Sequence, residues 1–350
     1  MDLNLKIWNG KRVLITGHTG FKGSWLAVML SELGADLIGL SLSPTKGPSL
    51  YLDGKISELM KSEIFCDIRD FDKISAVVLS QKPDYIFHFA AQSLVLDSIN
   101  DPLESFTTNI IGTANILFAG LTNQTVQGVT IATTDKVYKN QNWAWPYREI
   151  DQLGGSDPYS ASKAASEIIV RSLERSANSR KIPVTTVRAG NVIGGGDWAE
   201  NRLIPDLVRA YKYSKRLSIR NINSTRPWQY VLDCLWGYLL VGQAHLEKRD
   251  SVPEAVNFGP RSANEVSAVI KLFAKYFQGN IEMEIEDSKN IEHNRLDLDS
   301  SLAKDYFSWE TSLDLDETIK RTAIWYKSYL DGKPALELML DEVKVFMDSK

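Results

Sequence analysis

Short β-branched runs alternate with longer helical patterns through the first half of the chain, and this alternation restricts the fold more than any other feature. A strand pattern followed by a helix and then another strand is typical of a parallel sheet with helices on both faces. Strands are predicted at residues 12–16, 37–42, 63–67, 85–90, 129–134 and 184–188. Helices are predicted at residues 23–33, 71–81, 102–121, 158–176, 315–330 and 334–347. We therefore expect a doubly wound α/β protein.

A glycine-rich turn, T-G-H-T-G-F-K-G, follows the first predicted strand and opens the next helix. Gly17, Gly20 and Gly23 allow the backbone to approach a pyrophosphate, which the free N–H groups and dipole of the helix start stabilise. The spacing alone is weak evidence. Its position after the first strand of an alternating pattern favours a dinucleotide site over a structural turn, and hence a Rossmann-type sheet.

The alternation stops near residue 190, where Gly, Pro, Trp and Asn become frequent. A chain of 350 residues exceeds what one hydrophobic core usually supports. Irregular segments of this composition commonly form binding surfaces. We predict a dinucleotide-binding domain over residues 1–190 and a smaller mixed α/β substrate-binding lobe mainly over 191–350, with part of 230–260 returning to the first domain.

Further cofactor contacts are expected where the third and fourth strands end. Asp67 and Ile68 stand where an adenine amino group could be recognised, although a helix cap is an equal alternative for this pair. The fourth strand ends in F-A-A-Q, and a cofactor can pass beside Phe89, Ala90 and Ala91. The second strand ends in L-S-L-S-P, without the acidic residue that favours NAD over NADP, so this strand does not decide between the two cofactors.

The segment Y-S-A-S-K lies on the helix after the fifth strand. Its Tyr159 and Lys163 are four residues apart and share one helical face. An ammonium group there lowers the pKa of a phenol from about 10 toward the working pH, so Tyr159 is a candidate base for a substrate hydroxyl. Taken alone, the spacing is common and usually marks a surface pair.

A third polar motif, T-T-D-K, ends the fifth strand at residues 133–136. Residues that leave the carboxyl ends of parallel strands line the ligand crevice. We therefore expect Thr134, Asp135 and Lys136 to face the same space as Tyr159, although an isolated Asp-Lys pair is more often a solvated turn.

Composition excludes several other classes of protein. The net charge is −4, from 40 basic and 44 acidic side chains, and no basic patch supports a nucleic-acid partner. Cys66 and Cys234 lack the spacing of a metal site or a disulfide framework, and we interpret them as buried thiols in a reducing compartment. No run of about 18 apolar residues predicts a membrane span, and no signal peptide is recognised. We expect a cytoplasmic protein without a metal.

These motifs and the fold pattern resemble the extended short-chain dehydrogenase/reductases that act on nucleotide sugars. The resemblance covers nearly the whole chain and includes the segments at residues 188–198, 226–233 and 296–303. G-H-T-G-F-K-G, T-D-K-V-Y and Y-R-E-x-D-x-L-G-G-x-D-P-Y-S are similar to the 4,6-dehydratases of CDP-hexoses. Other 4,6-dehydratases generally carry Asp-Glu where this chain has Asp135 and Lys136, and epimerases lack the acid-base pair.

The resemblance implies an NAD-dependent hydro-lyase. Carbon 4 of the hexose is oxidised, water is eliminated across carbons 5 and 6, and the hydride returns to carbon 6. Tyr159, assisted by Thr134 and Lys163, would take the proton of the 4-hydroxyl, and Asp135 would protonate the departing 6-hydroxyl. Lys136 would either remove the carbon-5 proton or stay charged and stabilise an enolate. Its neutral form costs about 4 to 5 kcal/mol at pH 7, unless burial and Lys163 lower its pKa.

The resemblance also implies the binding residues, and Tyr159 and Lys163 are expected to contact the cofactor as well as to act in catalysis. His18, Phe21 and Lys22 belong to the glycine turn, and His18 and Lys22 are expected near the pyrophosphate or ribose, with an exposed turn position as the alternative for His18. Candidate substrate contacts are Gln92, Ser93, Asn191, Arg202, Leu203, Arg226, Trp228 and Arg295. Guanidinium groups suit the diphosphate or the base. Trp143 and Trp145 either cover the sugar or pack the lobe, and packing is the stronger expectation for Trp143.

Alternatives remain open from the sequence. A nucleotide-sugar 4-epimerase shares the cofactor site and Tyr159 with Lys163, but needs no proton relay at carbons 5 and 6. A silent NAD-binding regulator would keep only the glycine turn. The family implies a homodimer or homotetramer built on helix pairs, here 102–121 and the helix of Tyr159, and a use in deoxysugar supply for lipopolysaccharide O-antigen.

Overall fold

The computed structural model describes residues 4–44, 47–213, 216–219, 221–249, 251–278, 283–285 and 296–350. The strands are β1 (Arg12–Thr16), β2 (Asp36–Ser41), β3 (Met60–Phe65), β4 (Tyr85–His88), β5 (Val129–Ala132), β6 (Val184–Ala189), β7 (Val192–Ile193), β8 (Leu217–Ile219), β9 (Thr225–Arg226), β10 (Gln229–Tyr230), β11 (Ala255–Phe258), β12 (Asn264–Glu265) and β13 (Met283–Ile285). The helices are α1 (Phe21–Glu32), α2 (Leu50–Asp53), α3 (Phe71–Gln81), α4 (Val95–Asn100), α5 (Pro102–Phe106), α6 (Gly112–Thr122), α7 (Pro158–Ala177), α8 (Leu203–Tyr213), α9 (Val231–Leu246), α10 (Val266–Phe277), α11 (Ser301–Phe307), α12 (Leu315–Leu330) and α13 (Ala335–Asp348).

Seven strands form one parallel sheet in the order β11-β6-β5-β4-β1-β2-β3. The doubly wound α/β prediction is therefore confirmed, and β11 adds a strand to the six that were expected from the first half of the chain. Strand β3 lies at the sheet edge and begins at Met60, whereas its predicted start was residue 63. Its sequence M-K-S-E-I-F carries polar residues on a partly exposed edge, so its hydrophobic signal is weak.

Side chains of the central strands alternate between two hydrophobic clusters. Val13 and Ile15 of β1 belong to the larger cluster, which also contains α1, α9, α12 and α13, whereas Leu14 belongs to the cluster under α3, α6 and α7. The same alternation puts Phe87 and Ile86 of β4 on opposite faces. This period of two requires helices on both sides of the sheet.

The predicted helix at 102–121 is present with a widened turn inside it. Asp101 caps α5 by accepting a hydrogen bond from the Glu104 backbone N–H at 3.0 Å, and Pro102 occupies the first turn. A π-helical turn at Thr107–Ile111 then joins α5 to α6. Such a turn inserts an extra residue, and here it brings the buried Asn109 against α7.

Three two-stranded pairings, β10 with β7, β12 with β9 and β13 with β8, lie outside the large sheet. The β12–β9 pair is antiparallel and the other two are parallel. Together with α8 and α10 they give the later part of the chain the mixed α/β character that its irregular composition predicted. Within the described ranges, no helix is long and apolar enough to span a bilayer.

Candidate active site

A cleft of about 700 Å³ opens along the carboxyl ends of the parallel strands. Its walls come from the glycine turn after β1, the ends of β2 to β6, helix α7, and the segments around α8, β8 and β9. The predicted site residues that line it are Gly17, Gly20, Phe21, Lys22, Gly23, Asp67, Ile68, Phe89, Ala90, Ala91, Gln92, Ser93, Thr134, Asp135, Lys136, Tyr159, Lys163, Asn191, Arg202, Leu203, Arg226 and Trp228. The fold thus brings residues from distant parts of the sequence into one space.

The glycine turn has the geometry of a dinucleotide site. Gly17 has φ +75°, and a Cβ atom there would lie 2.7 Å from the Ala90 nitrogen. A Cβ atom on Gly23 would lie 2.2 Å from the Gly17 oxygen, so α1 packs directly on the turn. Gly20 precedes α1 without any side-chain cap, which leaves the first N–H groups of this helix available to an anion. These features fit the pyrophosphate of NAD.

His18 is the one predicted cofactor residue of the turn that does not line the cleft. Its side chain is fully buried, its Nε2 lies 2.9 Å from Glu63 Oε1, and its ring packs on Tyr51. Gly39 makes room for the ring, because a Cβ atom there would lie 2.6 Å from His18 Nε2. The His18 side chain was expected either near the cofactor or exposed in the turn. Its buried position shows that both expectations are wrong. Burial lowers the pKa of His18, against an opposing effect of Glu63.

Asp67 and Ile68 line the cleft, and the adenine contact expected of them stays a prediction. The cap of α3 is Asp70, which accepts a hydrogen bond from the Lys73 N–H at 3.2 Å. Asp67 and Ile68 therefore do not cap this helix, which was the alternative interpretation. Asp67 instead pairs with Arg69, and this hydrogen bond lowers the pKa of Asp67. Arg69 also bridges to Glu104 at 2.5 Å, which ties α5 to this part of the cleft.

A buried hydrogen-bond chain supports the floor of the cofactor end. Thr16 Oγ1 accepts hydrogen bonds from the Phe89 and Ala90 N–H groups at 3.1 and 3.2 Å, so its own proton points to His88 Nδ1 at 2.7 Å. His88 therefore carries its proton on Nε2 and donates to Thr113 Oγ1 at 3.0 Å. Burial, with a smaller effect of Lys163, lowers the pKa of His88 to about 3, which keeps the ring neutral.

Thr134, Asp135 and Lys136 line the cleft at the end of β5 and are called the catalytic wall below. Asp135 is 1% exposed, and its Oδ1 accepts hydrogen bonds from Thr134 Oγ1 at 2.9 Å and Lys136 Nζ at 3.2 Å. The second carboxylate oxygen, Asp135 Oδ2, is buried without a hydrogen-bond partner. Lys136 keeps about 30% of its side chain exposed. The pair thus combines one buried acceptor oxygen without a partner and one cation at the side of the cleft.

Tyr159 and Lys163 lie on one face of α7 and both line the cleft. Burial raises the pKa of the Tyr159 phenol, while Lys136, a hydrogen bond with Thr134, and Arg202 oppose this rise. Lys163 donates to the Ala132 carbonyl at 3.1 Å. Lys136 therefore takes the part in lowering the phenol pKa that the sequence assigned to Lys163.

The two lysines respond to burial in opposite ways. Burial and the nearby Lys22 lower the pKa of Lys163 to about 8, against an opposing effect of Glu167. Burial also acts to lower the pKa of Lys136, but Asp135 and the Tyr159 phenolate outweigh it and raise this pKa above its usual value. The expectation that burial and Lys163 lower the pKa of Lys136 is therefore wrong for this arrangement, because Asp135 and Tyr159 together outweigh burial.

The substrate end of the cleft carries cations and unsatisfied acceptors. Arg202 is held by Asp197 at 3.1 Å, and Asp197 is itself 6% exposed. Buried acceptors without a hydrogen-bond partner are Asn191 Oδ1 and Gln92 Oε1. Trp228 lines the cleft and donates its indole N–H to the Asn264 carbonyl at 3.1 Å. Buried acceptors of this kind need donors, which the hydroxyl groups of a sugar supply.

The remaining predicted residues have other positions. Arg295 lies outside the described residues. Trp143 packs on Tyr147 with ring centroids 5.3 Å apart and on Trp145 at 6.2 Å, and neither tryptophan lines the cleft. The packing expectation for Trp143 agrees with this geometry.

Several site residues were not predicted. Thr19 and Ser41 join across the glycine turn with their hydroxyl oxygens 2.6 Å apart, and both line the cleft. Asp197 positions Arg202, and the buried pair Glu167 and Arg188 lies behind the catalytic wall. The spacing from Tyr159 to Lys163 to Glu167, four residues each, was a signal for the last pair. Across the described ranges, no group of three His, Cys, Asp or Glu residues is arranged to hold a metal ion.

Comparison with known proteins places these features in a family. The profile of the NAD dependent epimerase/dehydratase family matches residues 13–259. The chain is 38% identical to the CDP-glucose 4,6-dehydratase of Salmonella typhimurium over 99% of both chains. It is 25% identical to the UDP-glucose 4-epimerase of Mycoplasma genitalium, over 91% of this chain and 97% of the relative.

A solved structure shows the same fold. The UDP-glucose 4-epimerase of Thermotoga maritima superimposes with a TM-score of 0.80 at 22% identity, covering 91% of this chain and 99% of the other. The predictions of the nucleotide-sugar family and of an NAD-dependent protein are confirmed. The chain belongs to the NAD dependent epimerase/dehydratase family.

Proposed function

We propose that this protein is a CDP-glucose 4,6-dehydratase, a hydro-lyase that converts CDP-D-glucose to CDP-4-dehydro-6-deoxy-D-glucose and water. The observation that carries the proposal is the Asp135–Lys136 pair, which faces the cleft of Tyr159 and offers an unpartnered carboxylate oxygen. An elimination needs one group to take a proton and another to give one. The relative from Salmonella typhimurium supports the substrate assignment.

The first step is loss of the proton from the 4-hydroxyl of the sugar to Tyr159. The phenol must ionise in a buried site, which its environment opposes, and Lys136, Thr134 and Arg202 offset this cost. The glycine turn with Gly17, Gly20 and Gly23 would hold NAD, which would supply the hydride acceptor for carbon 4 and the hydride for carbon 6. The chain's own contribution is to hold the hydroxyl against Tyr159 and the ring beside the catalytic wall.

The second step is the elimination across carbons 5 and 6. Lys136 must be neutral to take the carbon-5 proton, and Asp135 must be protonated to give a proton to the departing 6-hydroxyl. One proton passed from the Lys136 ammonium to the Asp135 carboxylate, which are 3.2 Å apart, produces both forms together. After the amine has taken the carbon-5 proton and the carboxyl has protonated the leaving hydroxyl, the ion pair is restored.

The cost of this transfer is compatible with turnover. The reference pKa values of about 10.4 and 3.9 give about 9 kcal/mol in water. The charges of Asp135 and Tyr159 raise the pKa of Lys136, so the site does not lower that cost. A turnover of about 10 per second corresponds to a barrier of roughly 16 kcal/mol, so the transfer leaves room for the C–H and C–O bond changes.

Substrate recognition is assigned to the later part of the chain. We infer that Arg202 and Arg226 face the diphosphate and that Asn191 accepts from a sugar hydroxyl through its free Oδ1. Residues 191–350 then act mainly as the nucleotide-sugar lobe, and β11 returns to the sheet of the first domain. The cytosine base is assigned from the Salmonella typhimurium relative.

The direct test is incubation of the purified protein with CDP-glucose, with and without added NAD. Alkaline absorbance of a 4-keto-6-deoxy sugar and product mass are followed together. The proposal predicts loss of one water without net reduction of NAD. An unchanged mass with inverted configuration at carbon 4 would instead establish an epimerase, and activity on dTDP- or UDP-glucose alone would establish another 4,6-dehydratase. Absence of turnover with all of these nucleotide hexoses would instead indicate an NAD-binding regulator.

The same proposal includes an oligomer. Helices α5 to α7 expose large apolar side chains, namely Leu103 at 72%, Ile111 at 49%, Phe118 at 39% and Ile168 at 60%. The remainder of the apolar side of α6, with Ile116 and Leu117, is buried against the sheet. We infer a homodimer in which these helices pair, with a homotetramer as the larger alternative, and light scattering distinguishes the two.

The proposal also places the protein in the cytoplasm. The described thiols of Cys66 and Cys234 are both buried and reduced, which suits a reducing compartment. The product would serve deoxysugar supply for lipopolysaccharide O-antigen, and fractionation of cells with detection of the protein tests the location.

A further inference from the structure

A fully buried ion pair stands behind the catalytic wall. Glu167 on α7 and Arg188 on β6 are each 3% exposed, and the guanidinium Nε donates to Glu167 Oε1 at 2.8 Å. Arg188 Nη2 donates to the second carboxylate oxygen, so the pair is bidentate. Removal of two charges from water is costly, and such a pair is weak evidence for stability alone. Its contacts indicate what else it does.

The carboxylate of Glu167 joins the two elements that carry the reacting groups. Its Oε1 also accepts from Thr133 Oγ1 at 2.7 Å, and Thr133 directly precedes the Thr134–Asp135–Lys136 wall. On α7, Glu167 follows Lys163 by one turn, and Lys163 in turn donates to the Ala132 carbonyl at 3.1 Å. Two hydrogen bonds, one made by Glu167 and one by Lys163, therefore fix α7 against the end of β5.

Arg188 extends the connection to the loop that follows the wall. Its Nη1 donates to Tyr138 Oη at 2.7 Å and to the Glu149 carbonyl at 3.1 Å. Tyr138 Oη in turn donates to Asn257 Oδ1 at 2.7 Å, on β11. The network thus spans α7, the end of β5, β6 and β11. Glu167, Arg188, Tyr138 and Asn257 do not line the cleft, whereas Thr133 does.

We propose that Glu167, held by Arg188, is a positioning residue for the reaction, which sets the distance between the helix of Tyr159 and Lys163 and the strand end of Thr134 to Lys136. Its negative charge lies beside Lys163 and also keeps that lysine in its ammonium form. The other charged or titratable groups that act near Lys163 are Lys22 from α1 and His88 from β4. Arg188 and Arg171 act on Glu167 from β6 and from α7 itself.

The inference concerns the site of the proposed function and rests on that function only for turnover. The test compares Glu167→Gln, Glu167→Asp and the control Glu174→Gln. Glu174 lies on the same helix and pairs with Arg171, but it makes no contact with the catalytic wall. Two pH profiles are recorded for each variant, the affinity for NAD by calorimetry and the turnover of CDP-glucose.

Glu167→Gln should lower the alkaline midpoint of the NAD-affinity profile by about one pH unit, because a neutral amide no longer holds the proton on Lys163, a predicted cofactor contact that lines the cleft. It should also reduce kcat at least tenfold with little change in KM, as expected for misplaced reacting groups. Glu167→Asp should keep the wild-type midpoint, because its charge remains, while kcat falls. Glu174→Gln should change neither quantity.

Two results would overturn the inference. One is a wild-type midpoint in Glu167→Gln, and the other is an equal shift in Glu174→Gln. If Glu167→Gln does not fold, the double variant Glu167→Gln with Arg188→Met removes both buried charges and should show the same lowered midpoint. A wild-type protein that binds NAD but leaves CDP-glucose unchanged would refute the proposed function, while the NAD profile would still decide the role of Glu167.

Discussion

Substitution of Gly17 by alanine tests the geometry of the cofactor turn with a built-in control. Gly17 and Gly10 both have a positive φ, +75° and +71°, so alanine pays the same backbone strain of roughly 1–2 kcal/mol at each position. The two positions differ in the room available for a Cβ atom. A Cβ atom on Gly17 would lie 2.7 Å from the Ala90 nitrogen and 2.9 Å from the Phe89 carbon, whereas nothing lies within 4 Å at Gly10.

The clash at Gly17 involves backbone on both sides, so neither a rotamer change nor a flexible side chain relieves it. Overpacking of this kind costs about 1–3 kcal/mol. Gly17→Ala should therefore lower the free energy of unfolding by roughly 2–5 kcal/mol, and Gly10→Ala by only 1–2 kcal/mol. Gly17→Ala should also weaken NAD binding at least tenfold, because the displaced Phe89–Ala90 segment lines the cleft.

The assay is urea unfolding followed by tryptophan fluorescence, with NAD affinity measured by calorimetry on the same preparations. The free energies of unfolding of the two variants should differ by at least 1 kcal/mol. Equal destabilisation of Gly17→Ala and Gly10→Ala would show that the close approach of the turn to the end of β4 is incorrect. Unchanged NAD affinity in Gly17→Ala would show that the cofactor does not pass over this turn.

Three further predictions concern the reacting groups and the assembly. Lys136→Gln should lower dehydration by about 10²–10⁴-fold, measured by the alkaline absorbance of the 4-keto sugar, because it removes both the base for carbon 5 and the charge that lowers the pKa of Tyr159; steady dehydration would contradict the role of Lys136. Lys163 has its folded pKa near 8, below its unfolded value, so its burial costs stability below pH 8, and this cost disappears as pH rises toward 10.5. Lys163→Met should accordingly gain up to roughly 3 kcal/mol at pH 7 and nothing at pH 10.5, measured by denaturant unfolding, and an equal gain at both pH values would refute the assignment. Ile168→Glu should convert the oligomer to monomer in light scattering, since it places a charge in the exposed apolar face, whereas an unchanged mass would locate the interface elsewhere.

The sheet was predictable because local signals agreed with the global fold. Helices 71–81 and 315–330 coincide with α3 and α12, whose apolar spacing and caps are both explicit. The geometry of the glycine turn was predictable from its glycines, since the turn needs a positive φ at Gly17 and a close contact with the helix at Gly23. Strand β3 was displaced because an exposed edge strand lacks a strong hydrophobic pattern.

The site was predictable where residues belong to sequence motifs. It was less predictable where residues distant in sequence determine the position or the pKa of a side chain. His18 was misplaced because its pocket depends on Gly39 and Glu63, which lie on other strands. The pKa of Lys136 depends on its own neighbour Asp135 more than on Lys163, and only the three-dimensional arrangement shows which charge is nearer. Pairings such as Arg202 with Asp197 follow from loop conformation, for which the sequence carries no periodic signal.

The proposed reaction is an elimination with internal return of hydrogen. CDP-glucose that carries deuterium at carbons 4 and 5 should be converted by the protein to a product one water lighter, with the carbon-4 deuterium on carbon 6 and a proton from solvent at carbon 5. Mass spectrometry and proton NMR measure both positions in one sample. Recovery of the deuterium at carbon 4 in a sugar of unchanged mass would contradict the claim and indicate epimerisation.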